Sequence, residues 1–165
     1  MSEKSRILSV VVLMLGLALA VSARADADAI TPPERLTSVG VITPRPGELA
    51  IVRVMNTVRA THGVPPLRIG PALTRAARAH SRDMARRGYF DHGPFVQRLR
   101  RFGVRAGYVG ENLASGSRPL SAAAIVQMWI ASPPHRQNLL DRGFRRIGIG
   151  VAGANTRLVT ADFAG

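Results

Sequence analysis

Apolar residues recur along this chain with two different periods, helical in its first half and alternating at its end. Ile51, Val54, Met55 and Val58 fall on one face of a helical wheel, with Arg53 and Arg59 elsewhere on it, which predicts an amphipathic helix over 48–61. Gly63 is placed to cap it in a left-handed conformation, and the run from Val64 through Pro65 and Pro66 to Leu67 is extended because residues before proline avoid the helical region. Gly70-Pro71 opens a second helix reaching Arg87, since proline in a first turn lacks only a donor that would go unused there. Its apolar stripe is Leu73, Ala76, Ala77, His80 and Met84, and Arg75, Arg78, Arg82 and Arg86 form the opposite face. The alanines let this helix approach a neighbour closely, and a sheet is the natural partner. His80 on the stripe reads as a hydrogen-bonded core histidine.

Shorter signals follow. Phe95, Leu99 and Phe102 predict a short helix within 93–102, and 103–110 reads as loop with Tyr108 and Val109 extended. A third long helix is expected over 120–130, with Leu120, Ala124, Ile125 and Met128 packing inward and Ser132-Pro133-Pro134 breaking it. Residues 147–152 and 157–163 alternate as strands and are joined by Gly153-Ala154-Asn155-Thr156, which predicts an antiparallel hairpin. Helices early and short strands late imply a layered α+β domain.

The ends read differently. Lys4 and Arg6 precede an apolar run over 7–21, and Ala23-Arg24-Ala25 supplies small residues at a signal-peptidase spacing, so 1–25 is expected to be a secretory signal. Residues 26–47 carry Pro32, Pro33, Pro44 and Pro46 and read as a linker, leaving 48–165 as the folded domain. There is no cysteine among the 165 residues, so neither disulfides nor thiol chemistry enter. The formal charge is +13, or +11 without 1–25, and all basic residues but Lys4 are arginine. Such a surface would favour anionic partners, although scattered solvated arginines are its simpler meaning. Exposed aromatics do not interleave with them, so no nucleic-acid partner is expected.

Candidate chemistry sits between 89 and 140, in the phrases Tyr89-Phe90-Asp91-His92, Gly110-Glu111-Asn112 and Trp129-Ile130-Ala131-Ser132-Pro133-Pro134-His135. Two imidazoles and a carboxylate, His92, His135 and Glu111, are enough donors for zinc or another divalent cation with a water in the fourth position. They could equally work as general acid and base without a metal. Spacing alone forces nothing together. Glu111 and Asn112 could simply hydrogen-bond a turn, and each histidine could cap a helix or pack on Trp129. No His-Glu-x-x-His helix, nucleophile elbow or phosphate-binding P-loop is present.

In their order these phrases resemble the CAP superfamily of cysteine-rich secretory, antigen 5 and pathogenesis-related proteins, in its cysteine-free bacterial branch. Asn56 and Arg59, Leu73 to His80 with Asp83 and Met84, Phe90 and His92, Gly110-Glu111-Asn112, Trp129 with Ser132 to Leu140, Phe144 to Val151, and Asp162-Phe163 carry the likeness. The resemblance implies a three-layer α-β-α sandwich in which His92, Glu111 and His135 converge in one cleft with Ser132. It also implies that Ser132 stands where the family has a second acid, which leaves three groups and water to hold any metal. Three functions follow as expectations. The first is an exported, non-enzymatic module that binds a lipid or envelope-derived ligand. The alternatives are a zinc-dependent hydrolase or protease using His92, Glu111 and His135, and an arginine-rich protein that docks on anionic surfaces.

Overall fold

A computed structural model describes residues 42–165, so the expected signal at 1–25 and the linker up to residue 41 lie outside the described residues. Five helices and four strands follow in the order α1 (Pro46–Thr61), β1 (Arg68–Ile69), α2 (Pro71–Arg87), α3 (Phe95–Arg101), β2 (Val109–Ser117), α4 (Ala122–Ala131), α5 (Pro133–Leu140), β3 (Arg146–Ala152) and β4 (Thr156–Ala164). The sheet order is β1-β3-β4-β2, with β1 parallel to β3 and the other pairings antiparallel. α2 and α3 cover one face of the sheet, and α1, α4 and α5 cover the other, which gives the three-layer α-β-α sandwich.

The two faces are built differently because strand side chains alternate. Ile147 and Ile149 of β3, Val159, Ala161 and Phe163 of β4, and Ala114 of β2 point to the α1/α4 side, where Ile51, Met55, Ile125 and Trp129 complete the main core. The opposite face of β3 carries Gly148 and Gly150. A Cβ there would lie 2.1 Å from the Leu73 carbonyl carbon and 2.2 Å from that of Ala77. Glycine in the sheet and alanine in the helix therefore bring α2 backbone against β3 backbone, the close approach anticipated from the small-residue stripe. Ser81 locks the contact by bonding the Gly150 carbonyl at 3.0 Å and the Thr160 hydroxyl at 2.9 Å, all buried.

The helix boundaries follow local chemistry. Gly70 and Pro71 start α2, and Gly88 ends it at φ 68° while its N–H bonds the Met84 carbonyl. Gly63, at φ 63°, follows the C-cap His62 of α1. The hairpin forms as expected, β3 and β4 pairing through a turn near Gly153.

Four sequence expectations differ from the structure. α1 begins at Pro46, inside the expected linker, because proline and glycine suit a first turn and Glu48 accepts the Arg45 N–H at 2.8 Å. Glu111 does not sit in a turn: Gly110 and Glu111 lie well inside the nine-residue strand β2. Ala124 and Met128 face outward, and α4 instead buries Ile125, Val126 and Trp129. Pro133 does break α4, but it also starts α5, with proline in the first turn of the new helix.

Candidate functional site

β2 is an edge strand, and its outward carbonyls need partners other than a neighbouring strand. Side chains from α4 and α5 supply them. Trp129 Nε1 donates to the Leu113 carbonyl at 2.9 Å, and Asn138 Nδ2 donates to the Glu111 carbonyl at 3.2 Å. Asn112 returns the contact by donating to the His135 carbonyl at 2.9 Å and accepting from Asn138 at 2.9 Å. These bonds fasten the first turn of α5 to the sheet edge and hold His135 beside β2.

His92 reaches the same edge from the other layer. The chain leaving α2 is pinned by His80 Nε2–H, which donates to the Asp91 carbonyl at 2.9 Å. Asp91 Oδ1 accepts the Gly93 N–H at 2.6 Å, and Gly93 at φ 55° turns the chain into α3. Arg98 on α3 donates to the His92 carbonyl at 3.1 Å. His80 is 4 % exposed, as a core histidine should be, and burial lowers its pKa to about 4.

Glu111 lies between these elements, 5 % exposed, with both oxygens engaged. Oε1 is 2.8 Å from His92 Nδ1, and Oε2 accepts a short bond from Arg98 Nη2. Across the strand pair, Glu111 stands opposite Asp162 of β4, which is fully buried. Arg98 Nη2 approaches Asp162 Oδ1 to 3.7 Å, and neither Asp162 oxygen has a hydrogen-bond donor among the described residues. Burial raises Asp162 well above the usual carboxylate range, and the Glu111 charge raises it further. Burial likewise pushes Glu111 up to about 7, against the pull of Arg98. Two buried carboxyls facing one guanidinium cannot both be ionised. The arrangement is neutral when Asp162 keeps its proton and Glu111 pairs with Arg98.

Burial lowers both cleft histidines, and the nearby His92 charge lowers His135 further. Neutral imidazoles are therefore the favoured form. With Glu111 as carboxylate, His92 donates from Nδ1 and keeps a lone pair on Nε2, the arrangement by which a carboxylate orients a metal-binding imidazole. The donor set thus suits a divalent cation on His92 and His135, with Glu111 behind His92. The described residues contain no group of three His, Cys, Asp or Glu side chains arranged to hold a metal ion. Ser132 caps the start of α5, half-buried, with no capping bond from its side chain.

Two participants were missed at the sequence level. Arg98 is not singled out there among the arginines, and Asp162 enters only as part of the closing Asp162-Phe163 phrase. A charged residue at an inward position of a strand was the available signal for Asp162.

The sequence model of the cysteine-rich secretory protein family, CAP, matches residues 52–163. The chain belongs to the CAP family. An uncharacterised Bacillus subtilis protein, YkwD, is 35 % identical over 108 residues, which is 62 % of this chain and 41 % of that protein. The crystal structure of an extracellular SCP-domain protein from Bacillus anthracis superposes with a TM-score of 0.65 at 31 % identity, covering 72 % of this chain and 40 % of that one. This CAP chain therefore spans about two fifths of the length of each of those relatives. A third relative, NaASP2 crystallised with Zn2+, shares the fold at 12 % identity and a TM-score of 0.56, over 73 % of this chain and 82 % of its own. No helix among the described residues is long and apolar enough to cross a membrane.

Proposed function

We propose that this CAP domain is an exported, non-enzymatic binding module whose cleft at the β2 edge holds a divalent cation, zinc among the candidates, on His92 and His135. The observation that carries this reading is the double engagement of Glu111 by His92 and Arg98. A hydrolase needs a carboxylate or imidazole free to take a proton from water. With the cation on His92 and His135 the imidazole lone pairs are taken, Glu111 already pairs with a guanidinium and orients an imidazole, and Ser132 offers no base. A bound divalent cation would supply a Lewis-acidic centre for an oxygen of an envelope-derived ligand. The chain's own residues do the rest: Glu111 fixes the His92 tautomer, Asn112 places His135, and Arg98 pulls Glu111 toward its carboxylate form. NaASP2, which was crystallised with Zn2+, supports a metal in this fold. The basic and apolar pattern of 1–25 supports export.

Calorimetric titration of zinc into the protein, beside His92→Ala and His135→Ala, tests the proposal. One-to-one binding lost in both variants is the expected result. Zinc binding that survives both substitutions, or its absence in the parent, refutes the metal assignment. Turnover of an ester or peptide panel that disappears in His135→Ala refutes the non-enzymatic reading.

A further inference from the structure

A second concavity adjoins this cleft and shares Arg98 with it, lying between α2, α3 and the β3–β4 turn. It encloses about 1030 Å³ and is bordered by Arg82, Arg86, Arg87, Arg98 and Arg101, with Asp83 as the acid among its lining residues. The arginines differ in what they already do. Arg98 is committed to Glu111. Arg86 and Arg87 share the single carboxylate of Asp83, at 2.7 and 3.2 Å, so the cluster keeps an uncompensated positive charge. Tyr89 also donates to Asp83, at 2.7 Å, and Arg87 lies over the Tyr89 ring at 5.3 Å from its centre, which restrains this trio before any ligand arrives. Arg82 and Arg101 have no acidic partner among the described residues and stand exposed on facing helices.

We propose that this groove binds a phosphodiester-linked polyol chain, with successive phosphates held by Arg82 and Arg86 on one wall and Arg101 on the other. The guanidinium fork matches phosphate oxygens in pairs, which a scattered ammonium surface would not do. Arg82 and Arg86 are one helical turn apart, about 6 Å along the axis, so the wall offers a row of cations and not a single point. The volume lies at the upper end of ligand pockets, about 300–1,000 Å³, and suits an extended occupant over a lone phosphate. Apart from His80, Tyr89 and Phe102, the uncharged lining is alanine, glycine and Pro94. Such small groups accommodate a polyol but give no aliphatic channel for an acyl chain. The aromatic rings are also engaged: Tyr89 lies beneath Arg87, and Phe102 packs into the cluster around Leu99. A nucleic acid would therefore lack the stacking platform it needs.

The test is direct binding of a short synthetic poly(glycerol phosphate) to the purified protein at low and moderate salt. Two charge-matched double variants accompany it, Arg82→Glu/Arg101→Glu in the groove and Arg53→Glu/Arg68→Glu on α1 and β1. All four positions are exposed, so both variants should keep the fold, which circular dichroism confirms. The groove variant should weaken binding by at least about tenfold and the control by less than about threefold, with a smaller salt slope only in the groove variant. Equal losses in the two variants overturn the proposal, because net charge alone would then account for binding. Single-stranded DNA of equal charge binding as tightly overturns it too, as does inorganic phosphate competing at the same concentration as the oligomer. Binding to phosphatidylglycerol vesicles without binding to the soluble oligomer overturns it in favour of a membrane surface. His135→Ala should leave oligomer binding unchanged, which separates this groove from the metal cleft.

Discussion

Arg59 is fully buried, yet no carboxylate among the described residues pairs with it; its partners are backbone carbonyls. Nε donates to Pro65 at 2.8 Å, Nη1 to Leu139 at 2.8 Å and Asp141 at 3.1 Å, and Nη2 to Phe144 at 3.1 Å. One guanidinium therefore ties the end of α1 to the loop after it and to both sides of the connection between α5 and β3. Burial lowers its pKa, and the neighbouring Arg145 charge adds to that. It remains a cation all the same, because arginine does not deprotonate in proteins.

Consider Arg59→Met, which keeps much of the side-chain length and volume. The carbonyls of Pro65 and Asp141 belong to residues with solvent access and can rehydrate. Those of Leu139 and Phe144 are buried residues' acceptors and cannot. Each stranded acceptor costs about 1–3 kcal/mol. Relief from burying the charge offsets part of this, as when a buried ion is replaced by an apolar group of similar shape. The net expectation is a loss of about 3 kcal/mol, since the orphaned carbonyls, unlike a removed carboxylate, stay in place. For the described domain that is roughly a 12 °C fall in Tm. Urea unfolding of the parent and variant with an unchanged m-value is the assay. Added salt should not alter the difference, because the acceptors are neutral. Arg59→Lys should recover part of the loss, its single ammonium reaching fewer of the four carbonyls. A loss below about 1 kcal/mol in Arg59→Met would refute the reasoning, since it would mean the carbonyls find water or other donors.

Gly150→Ala should destabilise by about 3 kcal/mol or more, read as a shift in denaturant midpoint, because the new Cβ meets α2 backbone and not a movable side chain. Trp129→Phe should lose about 1–2 kcal/mol by stranding the Leu113 carbonyl, and amide exchange on β2 should quicken at that edge. Two of the buried groups that set the pH dependence act with opposite sign. Glu111, raised to about 7, contributes stability that fades as pH climbs from its unfolded value through 7; His80, lowered to about 4, contributes stability that grows as pH rises from 4 to 6.5. Glu111→Gln removes the Glu111 contribution alone, so between pH 4.5 and 6.5 the variant should gain about 2–3 kcal/mol relative to the parent, measured as the difference in urea midpoints.

The fold was legible wherever a period and a punctuating residue agreed. α2 had both an apolar stripe and Gly70-Pro71 and Gly88 at its ends, and the β3–β4 hairpin had alternation and a turn. α4 misled because it is apolar almost all round. Leu120, Ala124 and Met128 form as regular a stripe as Ile125, Val126 and Trp129, and it is the packing of the latter three into the main core, with the Trp129 bond to Leu113, that sets the inward face. β1 is two residues long and pairs in parallel with a strand nearly eighty positions later. Nothing local could announce it, since its stability comes from β3. β2 hid for a related reason. Gly110, Glu111, Asn112 and Gly116 are poor strand formers, and what holds them extended is a nine-residue register with β4 together with side chains from α4 and α5.

The same long-range dependence governs the site. The sequence contains its polar parts, but their tasks depend on which face of β2 and β4 each residue occupies. Glu111 and Asp162 are cross-strand partners on the α2 side, while Asn112 points to the α5 side, so one strand serves both walls of the cleft. Seen along the chain, the phrase leading to His135 carries Ser132 and no acid. Seen across the sheet, a second carboxyl stands beside Glu111 at Asp162, with Arg98 close to both. That exchange changes the chemistry. An acid beside His135 could have served as a base or ligand in the open cleft, whereas Asp162 is fully buried and faces a guanidinium. A carboxyl in that position can store a proton and fix the charge of its neighbour, but it cannot reach a ligand. The carboxylate at the sheet edge is Glu111, and both of its oxygens are already engaged by His92 and Arg98.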